Sequence, residues 1–241
     1  MKHVIITGAS KGLGFALAKQ YVEEGAVVHT LSRSEVSLKD VNAYQVDIGQ
    51  LDQLERVMTM IFEQLQGNAT ELLLINNAGV VEPVGRVGSL QNEDITSHFT
   101  VNLTAPVILA NLFVKLSESY LVPKTVLNIS SGAGRSPMDG WNVYCSGKSG
   151  LDMFTKTAAV EQEEATYPIR FYSLAPGIID TNMQSTIRSA DQSRFKHVDK
   201  FKAYKEDGNL VKPEVVSDRI IHGVLKDSHE NGALLSIRDY L

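Results

Sequence analysis

Cysteine is almost absent from this sequence, which has only Cys145 among its 241 residues. A single cysteine excludes an internal disulfide and a cysteine-rich zinc site, and it fits a reducing compartment. The six histidines are scattered along the chain, and no two of them form an H-x-x-x-H pair. We therefore expect no bound metal ion.

Long apolar runs and an excess of positive charge are also missing. No stretch reaches the roughly 18 uninterrupted apolar residues of a membrane span, so we expect no membrane partner. The first residues, Met1-Lys2-His3, lead into an apolar strand pattern without a cleavable signal, which predicts a cytoplasmic protein. The net charge of −5 disfavours contact with a phosphate backbone, so we expect no nucleic-acid partner.

Short apolar runs alternate with longer amphipathic segments, and this alternation predicts the fold. The runs are apolar on both faces, which is typical of parallel strands buried under helices on both sides. We predict strands at 4–6, 27–31, 44–46, 72–75, 126–129, 171–174 and 233–235. We predict helices at 12–24, 52–66, 92–119, 141–165 and 213–226. The expected fold is one α/β domain over residues 1–241, with a doubly wound (Rossmann-type) seven-stranded parallel sheet.

The segment 182–209 interrupts this alternation. It is polar and charge-mixed, with Met183, Ile187 and Phe195 spaced along it. A long excursion in a compact domain is usually functional or mobile. We predict a lid or substrate loop with some helix, while a surface helical insertion that contacts no ligand is the alternative.

A glycine-rich turn, T-G-x-x-x-G-x-G, follows the first predicted strand and opens a helix. Glycines let the backbone approach a pyrophosphate closely, and a helix N-terminus presents free N–H groups to an anion. A plain strand-to-helix connection has a similar pattern. The position after the first strand favours a phosphate-binding turn, whose candidate residues are Gly8, Ser10, Lys11, Gly12, Leu13 and Gly14.

The end of the second predicted strand indicates which cofactor binds. An acidic residue there would bind a ribose diol, whereas a basic residue would accept a 2′-phosphate. Arg33 occupies this end, and Lys11 supplies a second cation. This pair favours NADP(H) over NAD(H). Glu35 would favour the diol if the strand ended two residues later, and Arg33 could also be a solvated surface cation.

Tyr144 and Lys148 are four residues apart on a predicted helix, so their side chains can be neighbours. An adjacent cation favours a phenolate, and we expect Lys148 to lower the pKa of Tyr144 toward neutrality. Ser131 ends a buried strand, where its hydroxyl can polarise a substrate carbonyl. The adjacent Ser130 is chemically equal and remains an alternative for that role.

Taken together, these motifs resemble the short-chain dehydrogenase/reductase family over nearly the whole chain. The matching positions, in order, are the turn at 7–14, Asp47-Ile48, Asn76-Asn77-Ala78-Gly79, Asn102, Ser131, Tyr144, Lys148, and Pro176-Gly177-Ile178-Ile179-Asp180-Thr181. The resemblance implies that Asp47 and Ile48 bracket the adenine and that Asn77, with Ala78 and Gly79, supports the middle of the cofactor. It also implies that Pro176, Gly177, Ile179 and Thr181 hold the nicotinamide end, and that Lys148 bonds the nicotinamide ribose.

The resemblance further implies a mechanism. Hydride passes from the nicotinamide to a carbonyl carbon, Ser131 hydrogen-bonds the carbonyl oxygen, and Tyr144 donates the proton. Asn102 would hold a water in the relay that reprotonates the tyrosine through Lys148; without the family it is only a polar residue in a helix. The long helices around Asn102 and Tyr144 resemble subunit-pairing surfaces of the family, which implies a homodimer or homotetramer.

The segments 140–148, 152–153 and 180–184 resemble sepiapterin reductases, and still more the bacterial branch known as benzil reductase ((S)-benzoin forming), which reduces one carbonyl of vicinal aryl diketones. A small-molecule carbonyl is therefore the expected substrate. Trp141 could face an aryl group or pack a helix end, and Met183 could line the same pocket. Asp239 could anchor a pterin or be a terminal surface charge. A nonenzymatic NADPH-sensing module is the alternative from another class.

Overall fold

A computed structural model describes residues 1–65 and 67–241, and within them seven parallel strands form one sheet. The strands are β1 (Lys2–Thr7), β2 (Val27–Ser32), β3 (Val41–Gln45), β4 (Glu71–Asn76), β5 (Lys124–Ile129), β6 (Ile169–Ala175) and β7 (Leu234–Ser236). They lie side by side in the order β3-β2-β1-β4-β5-β6-β7. The predicted doubly wound fold is confirmed. Because all neighbours are parallel, every strand delivers its carboxyl end to the same edge.

Helices connect the strands on both sides of the sheet. They are α1 (Gly12–Glu23), α2 (Leu54–Leu65), α3 (Asn92–Phe99), α4 (Ala105–Leu116), α5 (Asn142–Glu161), α6 (Asn182–Arg188), α7 (Val198–Glu206) and α8 (Pro213–Arg219). A π turn, Thr100–Thr104, joins α3 to α4, and another, Ile220–Val224, extends α8. The predicted end of the second helix, Gln66, lies outside the described residues.

Strand β3 departs most from its prediction, since it begins at Val41 rather than at Tyr44. It is an edge strand and mostly exposed, so its sequence carries little of the apolar signal that marks the central strands. Val46, predicted to end the strand, lies just beyond it and is buried.

Two apolar layers enclose the sheet. On one side, α2 and α4 bury Met58, Ile61 and Phe113 against strand residues such as Leu72 and Leu74. On the other side, α1 and α8 bury Leu17, Tyr21 and Val216 against strand residues that alternate with the first set, among them Leu73 and Ile75. This alternation along each strand is what lets both faces be covered.

The continuous helical stretch Asn92–Leu116 is long and apolar enough, by length and composition, to cross a membrane. Its residues Leu109, Ala110 and Phe113 are almost completely buried within the core of this domain. Core helices of soluble proteins meet the same criteria. These three side chains therefore pack in the core against the sheet.

The segment 182–209 contains helices α6 and α7, so it has the helical content that the sequence predicts. Ile187, Phe195 and Phe201 of this segment are buried in a third apolar cluster that includes Trp141 at the start of α5. The segment therefore packs near the carboxyl ends of the strands, where it also lines a cleft.

Candidate active site

A cleft of about 570 Å³ opens at the carboxyl ends of the strands. Its walls contain almost every residue that the sequence singled out: Gly8, Ser10, Lys11, Gly12, Leu13, Arg33, Asp47, Ile48, Asn77, Ala78, Gly79, Ser131, Trp141, Tyr144, Lys148, Pro176, Gly177, Ile179, Thr181 and Met183. Gly14 and Asn102 do not line it. The cleft size is typical of a small-molecule or cofactor site.

The glycine turn after β1 is held by a compact set of hydrogen bonds. Asn77 donates from Nδ2 to the backbone oxygens of Thr7, at 2.9 Å, and Gly8, at 3.3 Å. Gly8 has φ +70°, a conformation that favours glycine. A Cβ on Gly14 would collide with the Gly8 oxygen and the Asn77 amide. Gly14 therefore serves close packing beneath the turn, and Asn77 braces the turn as well as lining the cleft.

The N-terminus of α1 faces this turn and fits a phosphate. Lys11 precedes the helix, no side chain caps it, and its first turn contains no acidic residue. The first N–H groups of a helix are unsatisfied by the helix itself and carry partial positive charge. Gly12 and Leu13 place them in the wall of the cleft. These residues could hold the pyrophosphate of a dinucleotide.

Strand β2 ends at Ser32, and the next residues form one end of the cleft. Ser32 accepts a hydrogen bond at Oγ from the backbone N–H of Ala9, at 2.9 Å, which ties the strand end to the glycine turn. Arg33 and Ser34 line the cleft, whereas Glu35 does not. In the described chain, Arg33 makes no ion pair with an acidic residue.

Tyr144 and Lys148 lie in successive turns of α5 and are both buried, with 6% and 4% of their surface exposed. Lys148 donates from Nζ to the backbone oxygen of Ile129 at 2.8 Å, and Nζ lies 5.9 Å from the centre of the Tyr144 ring. Ser131 follows β5 in an extended conformation and lines the cleft. Ser130 lines the cleft as well, but its hydroxyl is directed to the backbone oxygen of Lys148 at 3.5 Å, which favours Ser131 as the residue that meets a substrate.

Burial controls the ionisation of Tyr144 and Lys148. Burial raises the pKa of Tyr144, and a hydrogen bond with Ser131 opposes the rise. Burial lowers the pKa of Lys148 to about 8, against the opposing charge of Asp152. The expected lowering of the phenol pKa is therefore wrong for this arrangement, because Nζ contacts Ile129 rather than the phenol. At neutral pH, Tyr144 is a protonated phenol and can donate a proton.

The low pKa of Lys148 predicts a pH dependence of folding stability. Its pKa falls from 10.5 to about 8 on folding, so between these pH values the unfolded chain binds more protons. The difference in free energy of unfolding, wild type minus Lys148→Met, should rise from pH 8 to pH 10.5 and stay flat below pH 8. Urea denaturation across this range measures it. A pH-independent difference would contradict the assignment.

Asn102 lies behind the cleft rather than in its wall. It is fully buried in the π turn between α3 and α4. Its Oδ1 accepts from the backbone N–H of Val80 at 3.1 Å, and its Nδ2 donates to the Val80 oxygen at 2.9 Å. Nδ2 also lies 3.0 Å from Nε2 of His98. Both amide N–H groups are therefore used within the protein.

Sequence reasoning missed His98. Its ring contacts Asn102, stands edge-on to the ring of Tyr144 with centres 5.9 Å apart, and is fully buried. The available signal was its spacing, since residue 98 lies one helical turn before Asn102 on the same stretch.

Large apolar side chains form the wall beyond Ser131 and Tyr144. Trp141 is 4% exposed; its ring stacks on Phe195 with centres 4.8 Å apart and meets Tyr144 at 5.2 Å. Trp141 thus packs the segment 182–209 onto α5 and also lines the cleft. The remaining large apolar or aromatic side chains of this wall are Met138, Met183, Ile187, Phe201 and Tyr204.

The C-terminal residues also reach the cleft. Ser236 and Arg238 line it, whereas Asp239 is exposed and lies outside its walls. The carboxylate that the sequence offered as a pterin anchor is therefore not part of the cleft in this structure.

Known proteins share this fold and much of this sequence. The family model described as short chain dehydrogenase matches residues 2–192. Benzil reductase ((S)-benzoin forming) of Bacillus subtilis (strain 168) is 41% identical over the full length of both chains. Sepiapterin reductase of Meriones unguiculatus is 30% identical, with 98% of this chain and 95% of the relative covered.

Among solved structures, the crystal structure of the KRED1-Pglu enzyme superposes with a TM-score of 0.84. It is 28% identical in sequence, and the match covers 98% of this chain and 100% of the other. The family match spans both the glycine turn and the Ser131, Tyr144 and Lys148 set. The chain belongs to the short-chain dehydrogenase/reductase family and is an oxidoreductase that acts on carbonyl or alcohol groups with a nicotinamide cofactor.

Proposed function

We propose that the protein is an NADPH-dependent reductase that converts one carbonyl of a vicinal aryl diketone to an alcohol, as a benzil reductase ((S)-benzoin forming). The observation that carries this proposal is the wall of large apolar side chains, including Trp141 and Met183, beside Ser131 and Tyr144. Such a wall suits an aryl substituent attached to the reacting carbonyl. The 41% identity to a relative named for this reaction supports the same substrate class.

NADPH is proposed over NADH on the chemistry at the end of β2. Arg33, Ser34 and Lys11 line the cleft there, and the nearby Glu35 does not. A guanidinium offers two parallel N–H donors to a phosphate, and a lysine adds a point charge. An acidic side chain at this end would bind a ribose diol, but this chain has the cation Arg33 there.

Residues in different parts of the cleft have different proposed roles. The turn and helix N-terminus at 8–13 would hold the pyrophosphate, Asp47 and Ile48 the adenine, and the loop 176–181 the nicotinamide end. When bound, the reduced nicotinamide supplies a hydride. Ser131 orients the carbonyl oxygen through its hydroxyl, and Tyr144, as a neutral phenol, donates a proton to that oxygen. Lys148 lies beside the tyrosine as the next group in the proton path.

We extend the proposal to the whole molecule. Residues 1–241 form a single domain whose segment 182–209 covers the substrate, and the protein is cytoplasmic. It assembles as a homodimer or homotetramer through the long helices around Asn102 and Tyr144. Exposed apolar side chains on α5, Met153 and Val160, support such an assembly, because an interface would remove them from water.

Sepiapterin reduction is the second candidate, favoured by the 30% identity to a sepiapterin reductase. The position of Arg238, rather than Asp239, in the cleft wall weighs against a pterin anchor. The intact set of Ser131, Tyr144, Lys148 and Asn102 argues against a nonenzymatic NADPH sensor, because a sensor needs no proton donor.

The test is NADPH oxidation with benzil, 1-phenyl-1,2-propanedione and sepiapterin in parallel, with chiral analysis of the products. We expect both diketones to be reduced at one carbonyl, to a single enantiomer, and faster than sepiapterin. Faster turnover of sepiapterin would reverse the order of the two candidates, and an inert benzil would overturn the proposal.

A further inference from the structure

We infer that His98 is a positioning residue for this reaction: as a neutral imidazole protonated on Nδ1, it holds the Asn102 carboxamide in one orientation behind Lys148 and Tyr144. The inference rests on the proposed function of that site. It adds a residue that neither the sequence motifs nor the cleft walls contain, since His98 does not line the cleft.

The contacts of the Asn102 amide with Val80 identify its oxygen and its nitrogen. The backbone N–H of Val80 can only donate, so the amide atom facing it at 3.1 Å is the oxygen Oδ1. The backbone oxygen of Val80 can only accept, so the atom facing it at 2.9 Å is the nitrogen Nδ2. The remaining N–H of Nδ2 points to Nε2 of His98 at 3.0 Å.

The tautomer of His98 follows from its two partners. Nε2 faces an amide nitrogen that only donates, so Nε2 carries a lone pair. Nδ1 lies 2.6 Å from the backbone oxygen of Glu82, which only accepts, so Nδ1 carries the hydrogen. A second proton, on Nε2, would face the Asn102 N–H directly. The neutral ring is the form that satisfies both contacts.

The surroundings keep His98 neutral. Burial lowers the pKa of His98 below its usual 6.5, the hydrogen bond to Glu82 opposes this, and the charge of Lys148 lowers it further. The titratable side chains that face it are Lys148 and Tyr144, both from α5, because Glu82 contributes only its backbone oxygen. The neutral form of His98 is therefore favoured near neutral pH, and the ring acts by position.

Packing links the His98–Asn102 contact to Tyr144 and Lys148. The His98 ring stands at 83° to the Tyr144 ring. A Cβ added at Gly147 would lie 3.4 Å from Nε2, so the helix that carries Tyr144 and Lys148 passes close to the ring. A Cβ added at Gly79 would lie 2.8 Å from Oδ1 of Asn102 and 3.5 Å from Nζ of Lys148. Movement of the Asn102 amide would therefore disturb the surroundings of the lysine.

Two isosteric substitutions separate the two contacts of the ring. His98→Gln keeps an oxygen where Nε2 accepts from Asn102, whereas His98→Asn keeps a donor where Nδ1 meets Glu82. The probe is 1-phenyl-1,2-propanedione with NADPH. We expect His98→Asn to lower kcat about tenfold, since a buried N–H loses its acceptor, with the KM for NADPH unchanged and a larger solvent isotope effect. His98→Gln should stay within about threefold of wild type, since that acceptor is kept.

Equal kcat losses in the two variants, or losses that follow their melting temperatures, would overturn the inference. Two further readouts do not depend on the folding of His98→Asn, and the first of them does not depend on the diketone either. Nitrogen-15 NMR of the unmodified protein at pH 7 should show a neutral His98 with its hydrogen on Nδ1. The kcat of wild type should fall as acid protonates His98, and His98→Gln should lack that fall. An Nε2–H or charged ring at pH 7 contradicts the inference, whereas an inert diketone contradicts only the proposed substrate.

Discussion

Tyr144→Phe is expected to fold, to bind NADPH and to lose between about 100- and 10,000-fold in kcat, the range that a positioned proton donor contributes. The substitution removes one oxygen from a side chain that is 6% exposed and leaves the ring packed between Trp141 and His98. What is lost is the proton that the carbonyl oxygen receives as hydride reaches its carbon.

The protonation state of Tyr144 strengthens this expectation. Burial raises the pKa of Tyr144, so the phenol is a donor throughout the neutral range. Stopped-flow or steady-state rates with a diketone measure the loss, and fluorescence of bound NADPH confirms that the cofactor still binds. Tyr167→Phe is the control, because Tyr167 is 48% exposed and lies outside the cleft walls. A Tyr144→Phe enzyme with the wild-type rate would remove the proposed donor.

Replacing Arg33 by Ala is expected to raise the KM for NADPH by about 10- to 100-fold and to leave the KM for NADH nearly unchanged. A hydrogen bond to a charged group is worth about 1.5–3 kcal/mol, and each 1.4 kcal/mol is about a factor of ten in affinity. NADH lacks the 2′-phosphate, so it loses no such contact.

Comparing kcat/KM for both cofactors isolates this contact. Arg56→Ala is the matched control, since Arg56 is an exposed arginine on α2 that does not line the cleft. Equal effects of Arg33→Ala on NADPH and NADH would show that Arg33 is a surface cation, and would return Glu35 to consideration. A preference of the unmodified protein for NADH would contradict the cofactor proposal outright.

The central strands and the phosphate turn could be predicted from sequence because their signals are local. Strand β4 contains the unbroken apolar run 72–75, and the turn after β1 shows its glycines in the sequence. The edge strand β3 was misplaced because exposure on an edge removes the apolar pattern that marks a buried strand. Its start differs by three residues, at Val41 instead of Tyr44.

Contacts between distant residues could not be predicted in this way. The pairing of Asn102 with Val80 joins α3–α4 to the loop after β4, and it explains why Asn102 lies behind the cleft. The expected effect of Lys148 on the Tyr144 pKa was wrong because spacing on a helix does not reveal that Nζ bonds Ile129. The burial of both side chains, which dominates their pKa values, likewise depends on the folded structure.

In the proposed reaction, this cleft brings a hydride from NADPH and a proton from Tyr144 to a single carbonyl of a vicinal diketone. The most direct measurement uses NADPH deuterated at the transferring position of C4, with benzil as substrate and mass spectrometry of the product. We expect one deuterium on the new alcohol carbon, one NADPH consumed per hydroxyketone, and almost no product from Tyr144→Phe. Alcohol without deuterium, or undiminished product from Tyr144→Phe, would contradict it.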